Sequence, residues 1–221
     1  MRGMRAHRAG WLVLLVVVLA QPPGQVAADT KFDLVAAPGR FLRRATHAYT
    51  DEFPLGQVQN QAYGYLFPQG PFFLVGDLLG VPDWLIQRAW WWLLLCLAFS
   101  GALTLARRVG IRGTFPQVLA AGLYALSPRI LTTLTAISSE AWPVALVPWT
   151  LIPLTLRTPR VAPAVVAVAC MGAVNATATI AACLPAFVLL IARRSYAAAG
   201  KFVLGAAAVS AWWIGPLLVL G

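Results

Sequence analysis

Two carboxylates and a lysine lie close together early in the chain, in the stretch ADTKFDL. If this stretch is helical, Asp29 and Asp33 are four residues apart and share one face of a turn, with Lys31 between them in sequence. A carboxylate can remove the proton from an attacking hydroxyl, and a cation can hold a departing phosphate, so these side chains could serve a group transfer. The alternative is that the acids only cap a helix.

Two arginines and one acid further along could complete such a site. Arg88 precedes a tryptophan triplet, and Arg129 lies in Ser-Pro-Arg at an expected helix break. An arginine at a membrane boundary suits bidentate binding of a phosphate group. It can also extend its charged end toward water and anchor a helix at the interface. Glu140, the only acid after Asp83, could bind sugar, pair with Arg129 or cap the following helix.

The stretch PLGQVQNQAYGYLFPQGPFF mixes amide and aromatic side chains. Amides form hydrogen bonds with sugar hydroxyls and aromatic rings stack on sugar faces, so this mixture is typical of a sugar or acceptor site. Packing at a membrane interface explains the aromatic residues equally well. The candidate residues are Gln57, Gln59, Asn60, Tyr63 and Tyr65.

Little in the sequence points to a cofactor. His7 and His47 are the only histidines, and the expected topology puts them on opposite sides of the membrane, so a histidine metal site is unsupported. The sequence contains no phosphate-binding loop, dinucleotide fingerprint or nucleophile elbow. We expect no required cofactor, and the sequence leaves the use of a divalent metal undetermined.

The composition indicates which solvent surrounds these residues. The 221-residue chain is 60% hydrophobic and 11% charged, whereas about a quarter of the residues in a soluble domain are charged. Its net charge of +10 comes from small arginine clusters between apolar runs, not from one basic patch interleaved with exposed aromatics. This pattern argues against nucleic acid as a partner and predicts an integral protein of the lipid bilayer.

Long apolar runs predict an all-α membrane fold with about seven transmembrane helices. Several runs are short and contain proline, so we expect tilted, broken or partly re-entrant helices among them. The first run follows three arginines and resembles a secretory signal with a cleavage site after Ala28; a retained signal anchor is the alternative, and both give the same topology. The runs are 11–20 (extended toward 28), 89–106, 117–134, 142–156, 161–174, 176–192 and 202–220.

The arginines predict which side of the membrane each connection occupies, because short cytoplasmic loops are enriched in Lys and Arg. The resulting topology has a cytoplasmic N-terminus and several passes through the plasma membrane, and places every acid on the periplasmic side. It divides the chain into an N-terminal helix (1–28), a long first external loop with the catalytic candidates (29–85) and the remaining helices (86–221). The cytoplasmic cations are Arg2, Arg5, Arg8, Arg107, Arg108, Arg112, Arg157, Arg160, Arg193, Arg194 and Lys201.

Several long strings in order resemble the N-terminal membrane domain of the mycobacterial arabinofuranosyltransferase D family. They are ADTKFDL, PLGQVQNQAYGYLFPQGPFF, GDLLGVPDWLIQRAWWW, ALSPRILTTLTAISSE and MGAVNATATIAACLPA. The resemblance implies a GT-C glycosyltransferase core that transfers arabinofuranose from a decaprenyl-phosphate donor to cell-wall arabinan at the outer face. It further implies that an acid of the first external loop, Asp29 or Asp33, is the catalytic base, and it implies no particular metal.

Members of that family continue far beyond residue 221, so the resemblance implies that the chain is an N-terminal fragment or a truncated or split gene product. Two other functions are alternatives. A transporter or flippase of lipid-linked sugars would place ionisable groups near the middle of the membrane, whereas here the acids gather outside the apolar runs. A truncated chain could also be a catalytically inactive membrane segment.

Overall fold

A computed structural model describes residues 2–27, 29, 31–47, 49–50, 56–58, 62–172 and 176–220. In these ranges the fold is helical apart from one antiparallel pair of two-residue strands. The elements are α1 (Arg2–Leu19), α2 (Phe32–Ala36), α3 (Pro38–Ala45), β1 (Tyr49–Thr50), β2 (Gln57–Val58), a 3-10 helix (Ala62–Leu66), α4 (Gln69–Leu78), α5 (Asp83–Arg108), α6 (Thr114–Ala125), α7 (Pro128–Leu134), α8 (Ser138–Leu154), α9 (Val161–Ala169), α10 (Ala176–Ala192) and α11 (Tyr196–Leu220).

Helix α5 starts six residues before the apolar run that predicted it. Gly80, with φ of +68°, ends the turn after α4, and Pro82 then precedes the first helical residue, Asp83. An acid in the first turn is favourable because it faces the positive end of the helix dipole. The early start places Arg88 inside the helix, and the predicted domain boundary between residues 85 and 86 falls within α5.

Helix α8 runs without interruption through Pro143, Pro148 and Pro153, so this run is not broken, whereas the predicted run 117–134 is divided into α6 and α7. A proline has no N–H, so Pro148 leaves the carbonyl of Val144, four residues earlier, without its helical donor. The hydroxyl of Tyr124 in α6 donates to this oxygen over 2.5 Å. A neighbouring helix therefore supplies the hydrogen bond that the proline removes.

Helix α5 lies at the centre of the fold and packs against α1, α6 and α8. Helices α5 and α8 are parallel: Trp90 stacks on Trp142 near their N-terminal ends, and Gly101 meets Trp149 further along. A hydrophobic cluster joins α1 to α8, including the 29–78 segment, and a second cluster joins the end of α8 to α9, α10 and α11. Described residues of the 29–78 segment, such as Leu34, Phe41 and Phe73, are thus part of the main core.

Arg107 and Arg193, which belong to two of the predicted cytoplasmic clusters, lie at one end of this bundle. Arg107, at the end of α5, has Nη1 3.4 Å from Nε2 of His7 near the start of α1. Arg193, just after α10, donates to the carbonyls of Leu154 and Arg157 beyond α8. The acids of the described residues lie at the opposite end, beside the N-termini of α5 and α8 or on α2 and α4: Asp29, Asp33, Asp77, Asp83 and Glu140.

Two helices of the described residues are long and apolar enough to cross a membrane by length and composition, Asp83–Arg108 and Tyr196–Val219. Shorter apolar stretches are Ala6–Leu19 and Ala176–Ala192. A straight span needs about 20 residues, and α6, α7 and α9 fall well short of that. Helices overlap each of the seven predicted runs, but seven complete spans are not confirmed.

Candidate active site

Asp29 is held at the N-terminus of α8, 109 residues away in sequence. The backbone N–H of Ser138 donates to Oδ1 of Asp29 over 3.1 Å, and the hydroxyl of Ser138 donates to Oδ2. Both bonds suit a carboxylate, since the first turn of a helix has N–H groups without helical partners and a positive partial charge. Asp29 is partly exposed, at the end of the bundle that holds the acids.

Ser138 connects Asp29 to a pair of stacked tryptophans. Its Oγ accepts hydrogen bonds from Nε2 of Gln69 at 3.1 Å and from Nε1 of Trp90 at 3.2 Å. Trp90 in turn stacks on Trp142, with 4.4 Å between the ring centroids. Ser138, Gln69 and Trp90 are all buried. The position of Asp29 is therefore set by residues of α4, α5 and α8 together.

A side-chain amide of α5 fixes the backbone that leads to Asp29. Gln87 accepts from the N–H of Ala27 at 2.9 Å and donates to its carbonyl at 3.0 Å. Arg88, the next residue of α5, donates to the carbonyl of Gln25 at 3.3 Å. Its guanidinium lies over the ring of Trp91, 4.4 Å from the ring centroid. The residues before Asp29 are thus attached to α5 by three hydrogen bonds.

Arg88 was predicted at a headgroup boundary, but its side chain is buried, at 5% exposure. Its Nη1 has no hydrogen-bond partner in the described part of the chain. These contacts match the anchoring alternative, because the guanidinium holds the segment before Asp29. A role toward phosphate stays a prediction.

Asp33 has a different environment from Asp29, and the expected shared helical turn is wrong. Helix α2 begins at Phe32, with Lys31 at the capping position and no side-chain cap, so Asp29 lies outside it. Asp33 pairs with Arg44 of α3 at 2.6 Å. Burial would raise the pKa of Asp33, but the hydrogen bond and charge of Arg44, with Lys31 nearby, outweigh it and hold that pKa below its usual value. Asp33 is thus a weaker base than an ordinary aspartate.

Glu140, in the first turn of α8, and Arg129, in α7, form an ion pair. Nη2 of Arg129 donates to Oε2 of Glu140 over 3.1 Å, so the pairing alternative describes both residues. The Arg129 side chain is 58% exposed, whereas that of Glu140 is 18% exposed. Glu140 lies two residues after Ser138, so the first turn of α8 carries both the ion pair and the contact with Asp29.

The two tyrosines of the predicted sugar site are in the core. Tyr63 packs against Trp213 of α11, and Tyr65 meets Phe41 of α3 edge to face at 5.5 Å. Burial also raises the pKa of Tyr63. The packing alternative therefore describes both rings, which present little surface to a sugar. Gln59, Asn60 and the side chain of Gln57 lie outside the described residues.

Four residues that contribute to the position of Asp29 were not predicted as site residues: Ser138, Gln69, Gln87 and Trp90. Two amides in otherwise apolar helices were the available signal, because such groups need buried partners. Within the described ranges, no group of three or more His, Cys, Asp or Glu side chains is arranged to hold a metal ion.

Comparison with known proteins places this geometry in a family. Residues 13–221 match the profile of the alpha-(1->3)-arabinofuranosyltransferase N-terminal GT-C domain. The chain is 49% identical to the alpha-(1->3)-arabinofuranosyltransferase of Mycolicibacterium smegmatis over 219 residues, covering 94% of this chain and 15% of that protein. The corresponding enzyme of Mycobacterium tuberculosis is 48% identical over 221 residues, covering 94% of this chain and 16% of that protein.

A solved structure agrees with these sequence relatives. The cryo-EM structure of arabinofuranosyltransferase AftD from mycobacteria superimposes with a TM-score of 0.90 at 44% identity, covering 98% of this chain and 17% of that one. This chain therefore spans about one sixth of the length of its relatives. It belongs to the alpha-(1->3)-arabinofuranosyltransferase family of glycosyltransferases and corresponds to the family's N-terminal GT-C domain.

Proposed function

We propose that this chain is the catalytic N-terminal domain of an enzyme that transfers arabinofuranose from decaprenylphosphoryl-arabinose to cell-wall arabinan. The observation that carries the proposal is the Asp29 carboxylate, held by Ser138 in the first turn of α8, the turn from which Glu140 pairs with Arg129. A base and an exposed cation thus both contact the first turn of one helix. The family match supports arabinofuranose as the sugar, and the lipid-linked donor and arabinan acceptor are parts of the proposal.

Asp29 is the proposed catalytic base. Its carboxylate takes the proton of the acceptor hydroxyl while that oxygen forms a bond with the anomeric carbon of the donor. The bond from this carbon to the phosphate oxygen breaks, its electron pair leaves with decaprenyl phosphate, and the anomeric configuration inverts. Asp33 is the second candidate, and its ion pair with Arg44 makes it the weaker base.

Arg129 is the proposed ligand of the departing phosphate. Glu140 receives one of the five N–H donors of its guanidinium, and the exposed side chain can turn others toward an anion. Lys31, two residues from Asp29, is a second cation for the same charge, and Arg88 could contribute its Nη1. Gln57, Gln59 and Asn60 stay proposed acceptor ligands, with Glu140 orienting Arg129.

The reaction is proposed for the periplasmic face of the plasma membrane. The arginine-rich end of the bundle suits the cytoplasmic side, since positive charge is retained there. The opposite end then presents Asp29 and Glu140 to a lipid-borne sugar outside the cell.

The test uses a chimera, since the chain spans a small share of its relatives. Residues 13–221 replace the matching domain of the Mycolicibacterium smegmatis relative, and membranes are assayed for transfer from decaprenylphosphoryl-arabinose to an arabinofuranoside acceptor. We expect Asp29→Asn to reduce transfer at least about 100-fold, the lower end of the range for general-base catalysis. Asp33→Asn is the matched control and should retain more activity. Full transfer by Asp29→Asn, at normal protein levels, would refute Asp29 as the base.

A further inference from the structure

The hydrogen bonds that Ser138 accepts leave one possible acceptor for its hydroxyl proton. A serine hydroxyl has one proton to donate and two lone pairs to accept with. Nε1 of Trp90 can only donate, and Nε2 of Gln69 donates as well, so these two groups fill both lone pairs. The only proton of Ser138 must then point to Oδ2 of Asp29.

We propose that Ser138 is a positioning residue of the transfer reaction, which sets the direction in which Asp29 takes a proton. The proposal rests on Asp29 being the base, as proposed above. Ser138 binds both oxygens of the carboxylate, Oδ1 through its N–H and Oδ2 through its hydroxyl. Two contacts from one residue fix the plane of the carboxylate, because rotation about its last bond would break one of them.

The surroundings make this contact rigid. Ser138 is completely buried, and its two donors come from different helices, Gln69 from α4 and Trp90 from α5. Gln87 fixes the backbone two residues before Asp29 independently. The backbone and the carboxylate of Asp29 are therefore held from separate points, as a base that must meet an acceptor hydroxyl at a defined angle requires.

Ser139 provides a matched control. It follows Ser138 on α8 and is buried to a similar extent, but its Oγ has no hydrogen-bond partner among the described residues. Replacing either serine with alanine removes one buried oxygen. Only the change at Ser138 removes a hydrogen bond to Asp29.

In the chimera, we expect Ser138→Ala to lower kcat about 10- to 100-fold, the cost of a misplaced catalytic group, with little change in the KM for the donor. Ser138→Thr, which keeps a hydroxyl, should recover part of kcat. Ser139→Ala should retain the wild-type kcat and KM.

Unfolding temperatures in detergent show whether Ser138→Ala is folded, and Ser138→Cys, with its weaker donor, replaces it if it is not. A Ser138 variant with the same kcat and KM as Ser139→Ala, while Asp29→Asn is inactive, would overturn the positioning role alone. An active Asp29→Asn would overturn the proposed base, and the inference with it.

Discussion

Replacing Tyr124 with phenylalanine removes one hydroxyl and leaves the aromatic ring in place. In the wild type this hydroxyl donates to the Val144 carbonyl, which Pro148 has deprived of its helical N–H. Hydrogen bonds between membrane helices contribute about 0.6 to 2 kcal/mol, and an unsatisfied buried carbonyl costs about 1 to 3 kcal/mol. We expect Tyr124→Phe to lower the free energy of unfolding by about 1 to 2 kcal/mol.

The effects of changing Tyr124 and Pro148 should be coupled. Pro148→Ala restores an N–H four residues after Val144, so the carbonyl no longer needs the Tyr124 hydroxyl. Tyr124→Phe should then cost less in the Pro148→Ala background, with a coupling energy of about 0.5 to 2 kcal/mol. The four proteins of this double-mutant cycle can be compared by reversible unfolding in SDS, followed by circular dichroism.

Tyr196 is the matched control, because it begins α11 and is 64% exposed. Tyr196→Phe should leave the unfolding curve unchanged within error. If Tyr124→Phe costs the same free energy with Pro148 and with alanine at that position, the hydroxyl does not replace the missing helical donor.

Two further predictions concern other contacts. A Cβ on Gly10 would lie 2.3 Å from the Phe99 ring, so Gly10→Val should separate α1 from α5 and lower the free energy of unfolding by about 1 to 3 kcal/mol. A Cβ on Gly122 would have no atom within 4 Å, so Gly122→Ala should be neutral or stabilising in the same thermal unfolding assay. The lowered pKa of Asp33 means that its pair with Arg44 stabilises the fold above pH of about 4 and loses this effect as pH falls through the lower folded-state pKa. The Asp33 side chain is 48% exposed, so Asp33→Asn should cost less than about 1 kcal/mol at pH 7 and almost nothing near pH 2; an equal cost at both values would contradict an electrostatic origin.

The sequence determined where helices form and which charged residues share an end of the bundle, because both depend on local patterns. Apolar runs between arginine clusters predicted the positions of α1, α5, α8 and α10, and the structure gathers Arg107, Arg157 and Arg193 at one end as the charge pattern requires. The family resemblance was also readable from the sequence, since several long strings occur in order. The profile match to residues 13–221 confirms it.

Only the tertiary structure decided which acid meets which partner. The spacing of Asp29 and Asp33 suggested one shared turn, yet Asp29 binds Ser138 on α8 and Asp33 binds Arg44 on α3. Helical periodicity describes neighbours three or four residues apart, and it carries no signal for a contact across 109 residues. Likewise, proline predicts a break in α8 from its missing N–H, but the replacement donor, Tyr124, lies on another helix. Local propensity sets where helices can form, and long-range hydrogen bonds set how they are completed and what they position.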